Sequence, residues 1–220
     1  MVNVIDAAAN AESALREEIC RIGAALFNRG YTVGSSGNIS ARLPDGWLIT
    51  PTDACLGMLD PAQLSKVGTD GVQISGARAS KTLALHRNVY ANNAQANAVV
   101  HTHSTNLVAL TLAGVWKPED VVPPITPYYV MKVGHIPLIP YHRPGDPKVA
   151  EQIAGLASSV RGVLLERLGP VVWHDSVSNA AFALEELEET AKLWLMMQRQ
   201  GTALSEDAID ELRQTFKARW

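Results

Sequence analysis

The chain has 220 residues, 47% of them hydrophobic and 19% charged, which is enough to bury a core and excludes a disordered segment. Its 19 basic and 22 acidic side chains leave a formal charge of −3 with no long like-charge block, so neither nucleic acid nor an anionic membrane is an expected partner. A small molecule carrying phosphate stays open, because one local positive site needs no basic chain.

The N-terminal periodicity predicts a helix from about Ala11 to Asn28. Asn10 is its expected N-cap, Leu15, Ile19, Ile22 and Leu26 its buried stripe, and Gly30 its stop. The small-residue turn in YTVGSSGNIS enters an alternating strand (Ile39, Ala41, Leu43), and Pro44-Asp45-Gly46 turns the chain into a second strand, WLIT. A Pro-initiated turn follows at Asp60-Pro61, and Thr69-Asp70-Gly71 joins Lys66–Val67 to a strand at Val72–Ile74. Ser80 is the expected N-cap of a helix reaching Asn92, with Leu83, His86, Val89 and Tyr90 on or near one face. NAVVHTHST reads as a buried strand that runs into a helix capped by Ser104 or Thr105. Pro118–Pro144 is proline-rich and irregular, with short strands expected at Tyr128–Lys132 and Pro137–Ile139.

Asp146 before Pro147 predicts a helix over Pro147–Ser158. Strands GVLLE and PVVWH come next. A long amphipathic helix follows over about Val177–Gln200, with Ala180, Leu184, Leu187 and Ala191 inward, and a last helix starts near Ser205. Strands interspersed with helices, and hairpins early on, predict an α/β fold with a mixed sheet between helices. Cys20 and Cys55 form neither a disulfide framework nor a metal motif, and the first residues carry acids where a signal peptide has bases. Every apolar stretch is broken before the ~20 residues of a membrane span. A cytoplasmic protein is expected, with residues 1–220 forming one domain.

His101 and His103 are the sharpest chemical feature. On a strand, residues i and i+2 share a face, so two imidazoles converge and make a half-site for zinc or another divalent ion. The plainer alternative is a pair of polar residues hydrogen-bonded at a sheet edge. Three further segments favour an anion: Gly34-Ser35-Ser36-Gly37-Asn38, Thr50-Pro51-Thr52-Asp53 and Ala79-Ser80-Lys81-Thr82. Each offers backbone N–H groups and hydroxyls, and Lys81 adds a cation at a helix start. None has the spacing of a nucleotide loop, and each also reads as an ordinary turn or cap. The run Glu185-Glu186 and Glu188-Glu189 reads as a solvated or subunit-facing surface, with Glu188 pairing to Lys192.

In their order along the chain, SSGNIS, LITPT, ASK, AVVHTHS and LLERLGPVVW resemble the class II aldolase and adducin family over about Ser13–Arg199. PYHRPGD and LEELEETAKL look closest to its 3-oxo-tetronate 4-phosphate decarboxylase branch. The resemblance implies a three-layer α/β/α fold around a largely antiparallel mixed sheet, assembled as a homotetramer. It maps His101 and His103 onto two of three zinc-binding histidines, and Gly37, Asn38, Thr52, Ser80 and Lys81 onto phosphate-binding positions. Two positions depart. Thr82 stands where the family has a catalytic glutamate, and Leu168, before Gly169, stands where it has the third zinc histidine.

An aldolase needs that glutamate to move protons, whereas a β-keto acid losing carbon dioxide needs an electron sink at its ketone. The implied activity is therefore metal-dependent decarboxylation of a phosphorylated 3-oxo four-carbon sugar acid, giving dihydroxyacetone phosphate and CO2. Thr82 and Lys81 stand at the catalytic positions. A sugar-phosphate aldolase of the fuculose phosphate type and a metal-free scaffold are the alternatives. A third ligand would come from His174, His135, a partner subunit or the substrate, and Tyr128 or Tyr129 would enter the site.

Overall fold

Along β5 (Ala98–His101), Ala98 and Val100 enter one core and Val99 the other, the period-two division that pleating imposes. The computed structural model describes residues 2–220, with side chains from Ala9 onward. Strand β5 pairs with β1 (Asn38–Leu43) on one side and β8 (Gly169–His174) on the other, antiparallel to both. The remaining strands are β2 (Gly46–Ile49), β3 (Ser65–Gly68), β4 (Gln73–Ser75), β6 (Leu138–Ile139) and β7 (Gly162–Leu165). Together they make an eight-stranded sheet in the order β4-β3-β2-β1-β5-β8-β7-β6. Only β6 and β7 pair in parallel.

Helices α1 (Val2–Asn28), α3 (Thr105–Ala113) and α5 (Val177–Met196) cover the face bearing Ala98, Val100 and Val172. Ile19, Leu26, Leu107, Leu184 and Leu187 fill that layer. Helices α2 (Leu83–Asn92) and α4 (Pro147–Leu156) cover the other face, packing Val89, Tyr90, Ile153 and Ala157 on Val99, Val171 and Trp173. The predicted three-layer α/β/α arrangement with a largely antiparallel mixed sheet is the one observed. A sixth helix, α6 (Glu206–Phe216), starts at Ser205, whose hydroxyl accepts from the Ala208 amide. No helix of the described residues is long and apolar enough to cross a membrane.

Four local expectations are corrected. Asn10 lies inside α1 and does not cap it, because the alanine-rich run before it continues the helix. Ser80 precedes the α2 cap, which is Thr82. The Ser80 hydroxyl accepts from the Thr82 amide at 3.3 Å and closes a turn before the helix begins. Residues Tyr129–Val133 wind into a π-helical turn where a strand was expected. Tyr129, Val130 and Val133 are all buried, a spacing that a helical turn accommodates and an alternating strand does not.

The fourth correction concerns Glu188, which is 1% exposed. Its carboxylate accepts from Asn106 N (2.8 Å), Asn106 Nδ2 (2.9 Å) and Leu107 N (3.0 Å), capping the start of α3. Lys192 pairs with Glu189 and Arg29 with Glu185.

Candidate active site

The β1–β5 register sets Asn38 opposite His101, so both side chains project from the same face, toward α2. His101 Nδ1 donates to the Pro170 carbonyl at 2.8 Å, which leaves Nε2 as the nitrogen carrying a lone pair. His103 stands just beyond the strand, yet the two rings still converge, with centroids 5.1 Å apart and planes at 59°. Two glycines allow neighbouring chain to close on this corner. At Gly37 (φ +85°) a Cβ would lie 2.7 Å from the His101 carbonyl oxygen. At Gly169 (φ +131°) one would lie 2.2 Å from that of Thr102.

The opposite rim is tied by backbone. A bridge between Pro51 and Ala79, with the Thr52 amide donating to Arg78 O at 2.9 Å, brings the turn after β2 against the residues leading into α2. Thr52, Ser80, Lys81 and Thr82 therefore line the same cavity as Gly37, Asn38, His101 and His103, although they come from distant stretches of sequence. The cavity has a volume of about 490 Å³. Ser80 Oγ and Thr82 Oγ1 are hydrogen-bonded at 2.8 Å. Lys81 is exposed at the mouth and makes no ion pair among the described residues. The far wall comes from the Pro140–Gly145 loop, with His142 and Arg143, and from Glu166 and Leu168.

Beneath the floor, His86 is fully buried between Ser40 and Asn38: Nδ1 is 2.7 Å from Ser40 Oγ, and Nε2 is 2.6 Å from Asn38 Oδ1. Ser40 Oγ also lies 2.7 Å from the Tyr90 hydroxyl. Burial, reinforced by the nearby His101, holds the His86 pKa down to about 3. Burial and then the His103 ring hold His101 to about 4, and burial lowers His103 as well. All three imidazoles are neutral at neutral pH, so His101 and His103 offer lone pairs and no positive charge. Positive charge in the cavity comes from Lys81 and Arg143.

Gly37, Asn38, Thr52, Ser80, Lys81, His101 and His103 thus line one cavity, and the candidate third ligands His135 and His174 do not. His135 donates from Nδ1 to Asp120 Oδ2 at 2.8 Å and stacks on Trp220, and His174 pairs with Asp175 at the far end of β5. Tyr129 is buried with its hydroxyl on Asp120, Tyr128 is exposed, and neither lines the cavity. His142 and Glu166 were missed by sequence reasoning, since only the packing of the 140–145 loop against β7 brings them in. They are engaged elsewhere, His142 with Gln152 and Glu166 with the Tyr141 amide. Among the described residues no group of three or more His, Cys, Asp or Glu is arranged to hold a metal ion. The donor set therefore supplies two imidazoles, one short of the three protein ligands usual for catalytic zinc.

The α/β/α fold thus sets two imidazoles at the end of a central strand, facing across the cavity a rim of hydroxyls and the Lys81 ammonium. The chain belongs to the family described as the class II aldolase and adducin N-terminal domain, whose model matches residues 17–195. It is 72% identical over 214 residues to the 3-oxo-tetronate 4-phosphate decarboxylase of Cupriavidus necator, covering 95% of this chain and 99% of that one. The Escherichia coli protein of the same name is 47% identical over 207 residues, covering 93% and 98%. The crystal structure of YgbL from Escherichia coli superposes with a TM-score of 0.88 at 47% identity, covering 92% of this chain and 99% of that one.

Proposed function

We propose that this protein is a carbon–carbon lyase that decarboxylates 3-oxo-tetronate 4-phosphate to dihydroxyacetone phosphate and CO2. The observation that carries the reading is the single cavity joining an anion-binding rim to two neutral imidazoles, with a threonine where an aldolase would hold its carboxylate base. The two decarboxylases of high identity support the same reaction.

In the reaction the bond between the carboxylate carbon and C2 breaks. Its electron pair moves into an enediolate spanning C2 and C3, and C2 then takes a proton. No base is needed to begin, so Thr82 costs a decarboxylase little. In this reading the backbone amides near Gly37, the Asn38 amide and the hydroxyls of Thr52 and Ser80 hold the phosphate, and the Lys81 ammonium balances its second charge. That tether orients the 3-oxo group toward His101 and His103. Thr82 is held by Ser80 beside the reacting carbons, and the proton for C2 comes from Lys81 or from water at the open mouth.

A divalent ion, zinc or another, would be held by His101 and His103. When bound, it supplies a Lewis acid for the ketone oxygen. The tie from His101 Nδ1 to the Pro170 carbonyl suits that role, because a ligating imidazole commonly donates its other N–H to a fixed acceptor. A homotetramer, a cytoplasmic location and a single domain over residues 1–220 are the remaining terms of the proposal.

The test is CO2 release from 3-oxo-tetronate 4-phosphate alongside a retro-aldol assay with L-fuculose 1-phosphate. Turnover of the first and none of the second is expected, and the reverse would overturn the reading. His101→Ala and His103→Ala should each lower kcat/KM by at least about 10²-fold while leaving the fold intact.

A further inference from the structure

The chain of hydrogen bonds under the cavity floor has a direction, and its central residue lies one side chain below the proposed phosphate contact. We propose that His86 is a positioning residue whose Nε2–H tautomer locks the Asn38 side chain with its NH2 group facing the cavity, turning Asn38 into a dedicated donor for an anion. The inference rests on the proposed phosphate role of Asn38.

Four side chains form the chain: Tyr90, Ser40, His86 and Asn38, exposed by 3%, 0%, 0% and 6%. Their links measure 2.7, 2.7 and 2.6 Å. Two polarities run one way along the whole chain, and a mixed one, with Tyr90 and His86 Nδ1 both donating to Ser40 Oγ, leaves the buried Ser40 proton without an acceptor. In the first, the Tyr90 hydroxyl donates to Ser40 Oγ, Ser40 donates to His86 Nδ1, and His86 Nε2–H donates to the Asn38 oxygen. In the second every bond reverses: the Asn38 amide donates to Nε2, Nδ1–H donates to Ser40, and Ser40 donates to the phenolic oxygen.

The closed end decides between them. Burial raises the Tyr90 phenol far above its ordinary range, so it keeps its proton. In the second polarity that proton has no side-chain acceptor, because Ser40 is the phenol's one side-chain partner and would itself be donating. A buried hydroxyl left without an acceptor costs more than an unused lone pair. The first polarity satisfies every proton. It also fixes which end of the Asn38 amide faces inward, since the oxygen is taken and the NH2 group is left for the cavity. An amide free to flip would offer its oxygen to an anion half the time, and that orientation repels.

The direct test is a neutron structure of the deuterated wild-type protein, which needs no variant and no substrate. Deuterium on His86 Nε2 is expected, with the Asn38 ND2 group toward the cavity. Deuterium on Nδ1 would overturn the inference.

Calorimetric titration with inorganic phosphate gives the second arm. Asn38→Ala and His86→Asn should each weaken phosphate about tenfold, the loss of one charge-assisted hydrogen bond. His86→Asn keeps a group near Ser40 but no longer reaches Asn38. His86→Gln reaches Asn38 and should restore affinity to within about threefold of wild type, whereas a role confined to packing would treat the two variants alike. If Asn38→Ala weakens phosphate and His86→Asn does not, the positioning inference fails while the phosphate reading stands. If Asn38→Ala has no effect, the phosphate reading at this residue fails and the proton map alone decides the polarity of the chain.

Discussion

Removing the Glu188 carboxylate asks what a buried acid contributes at the start of a neighbouring helix. Its oxygens accept from the Asn106 and Leu107 amides and from the Asn106 side chain. Glu188→Ala would leave two backbone donors and one amide without an acceptor in a buried setting. Each orphaned donor costs about 1–3 kcal/mol, and partial rearrangement of Asn106 recovers some of that, so a loss of about 3–5 kcal/mol is expected. In a chain of this size that lowers Tm by about 6–20 °C.

The charge itself is a smaller matter. Burial raises the Glu188 pKa, outweighing the donors that pull it down, so ionisation in place is not what holds the cap together. Glu188→Gln keeps one acceptor oxygen for the two Asn106 donors but sets its NH2 group against the Leu107 amide, so it should cost about 1–3 kcal/mol, less than the alanine variant. The sign with pH follows. The folded chain binds this proton more readily than the unfolded chain, so the contribution of Glu188 falls as pH rises from about the ordinary value of 4.5 through the raised one, and the glutamine variant lacks that slope. Urea unfolding followed by circular dichroism measures all of this. A glutamine variant as unstable as the alanine one would refute the argument, because the acceptor oxygen it retains for Asn106 would then be worth nothing.

Three further outcomes are expected. Lys81→Ala should raise KM for the phosphorylated substrate about tenfold, and steady-state kinetics separates its second role: kcat falls as well if Lys81 supplies the C2 proton and stays nearly unchanged if water does. Gly169→Ala should cost more than about 3 kcal/mol in chemical denaturation, since its Cβ would sit 2.2 Å from the Thr102 carbonyl oxygen at a φ of +131°. Glu12 pairs with Lys66 and Arg16, which lower its pKa against the opposing effect of burial. A depressed carboxyl stabilises the fold above its unfolded pKa. Glu12→Gln should therefore lose up to about 1 kcal/mol at pH 7, and the difference should vanish as the pH falls below the folded pKa.

Most of the fold was legible because its signals are local. Asp146-Pro147, Gly30 and the Ser205 cap end or start helices through their own chemistry, and the Ala98–Val100 run announces a buried strand. The π-helical turn was not legible, because YYVMK carries strand-forming residues whose winding depends on where Tyr129 meets Asp120. Glu188 was misread for a similar reason. Rules for pairs along one helix see Lys192, while the actual partner is the end of α3, 82 residues away. At the site, the residue types alone left turns, caps and a histidine pair, and it was the family resemblance of the ordered motifs that collected Gly37, Asn38, Thr52, Ser80 and Lys81 with His101 and His103, all of which line one cavity. The loop bearing His142 and Arg143 has no periodicity to read, and only its packing puts it on the wall.

Gly37 and Gly169 let adjoining chain pack directly onto the peptide units of His101 and Thr102, so the main chain that carries the two imidazoles is held by backbone contact. Thr82 and Leu168 line the rim of the cavity, outside those backbone contacts. Exchanging a rim side chain alters what the cavity can do while leaving its form in place. The reactive repertoire of this chain can therefore change one residue at a time, each intermediate still folded and still shaped for the same kind of ligand.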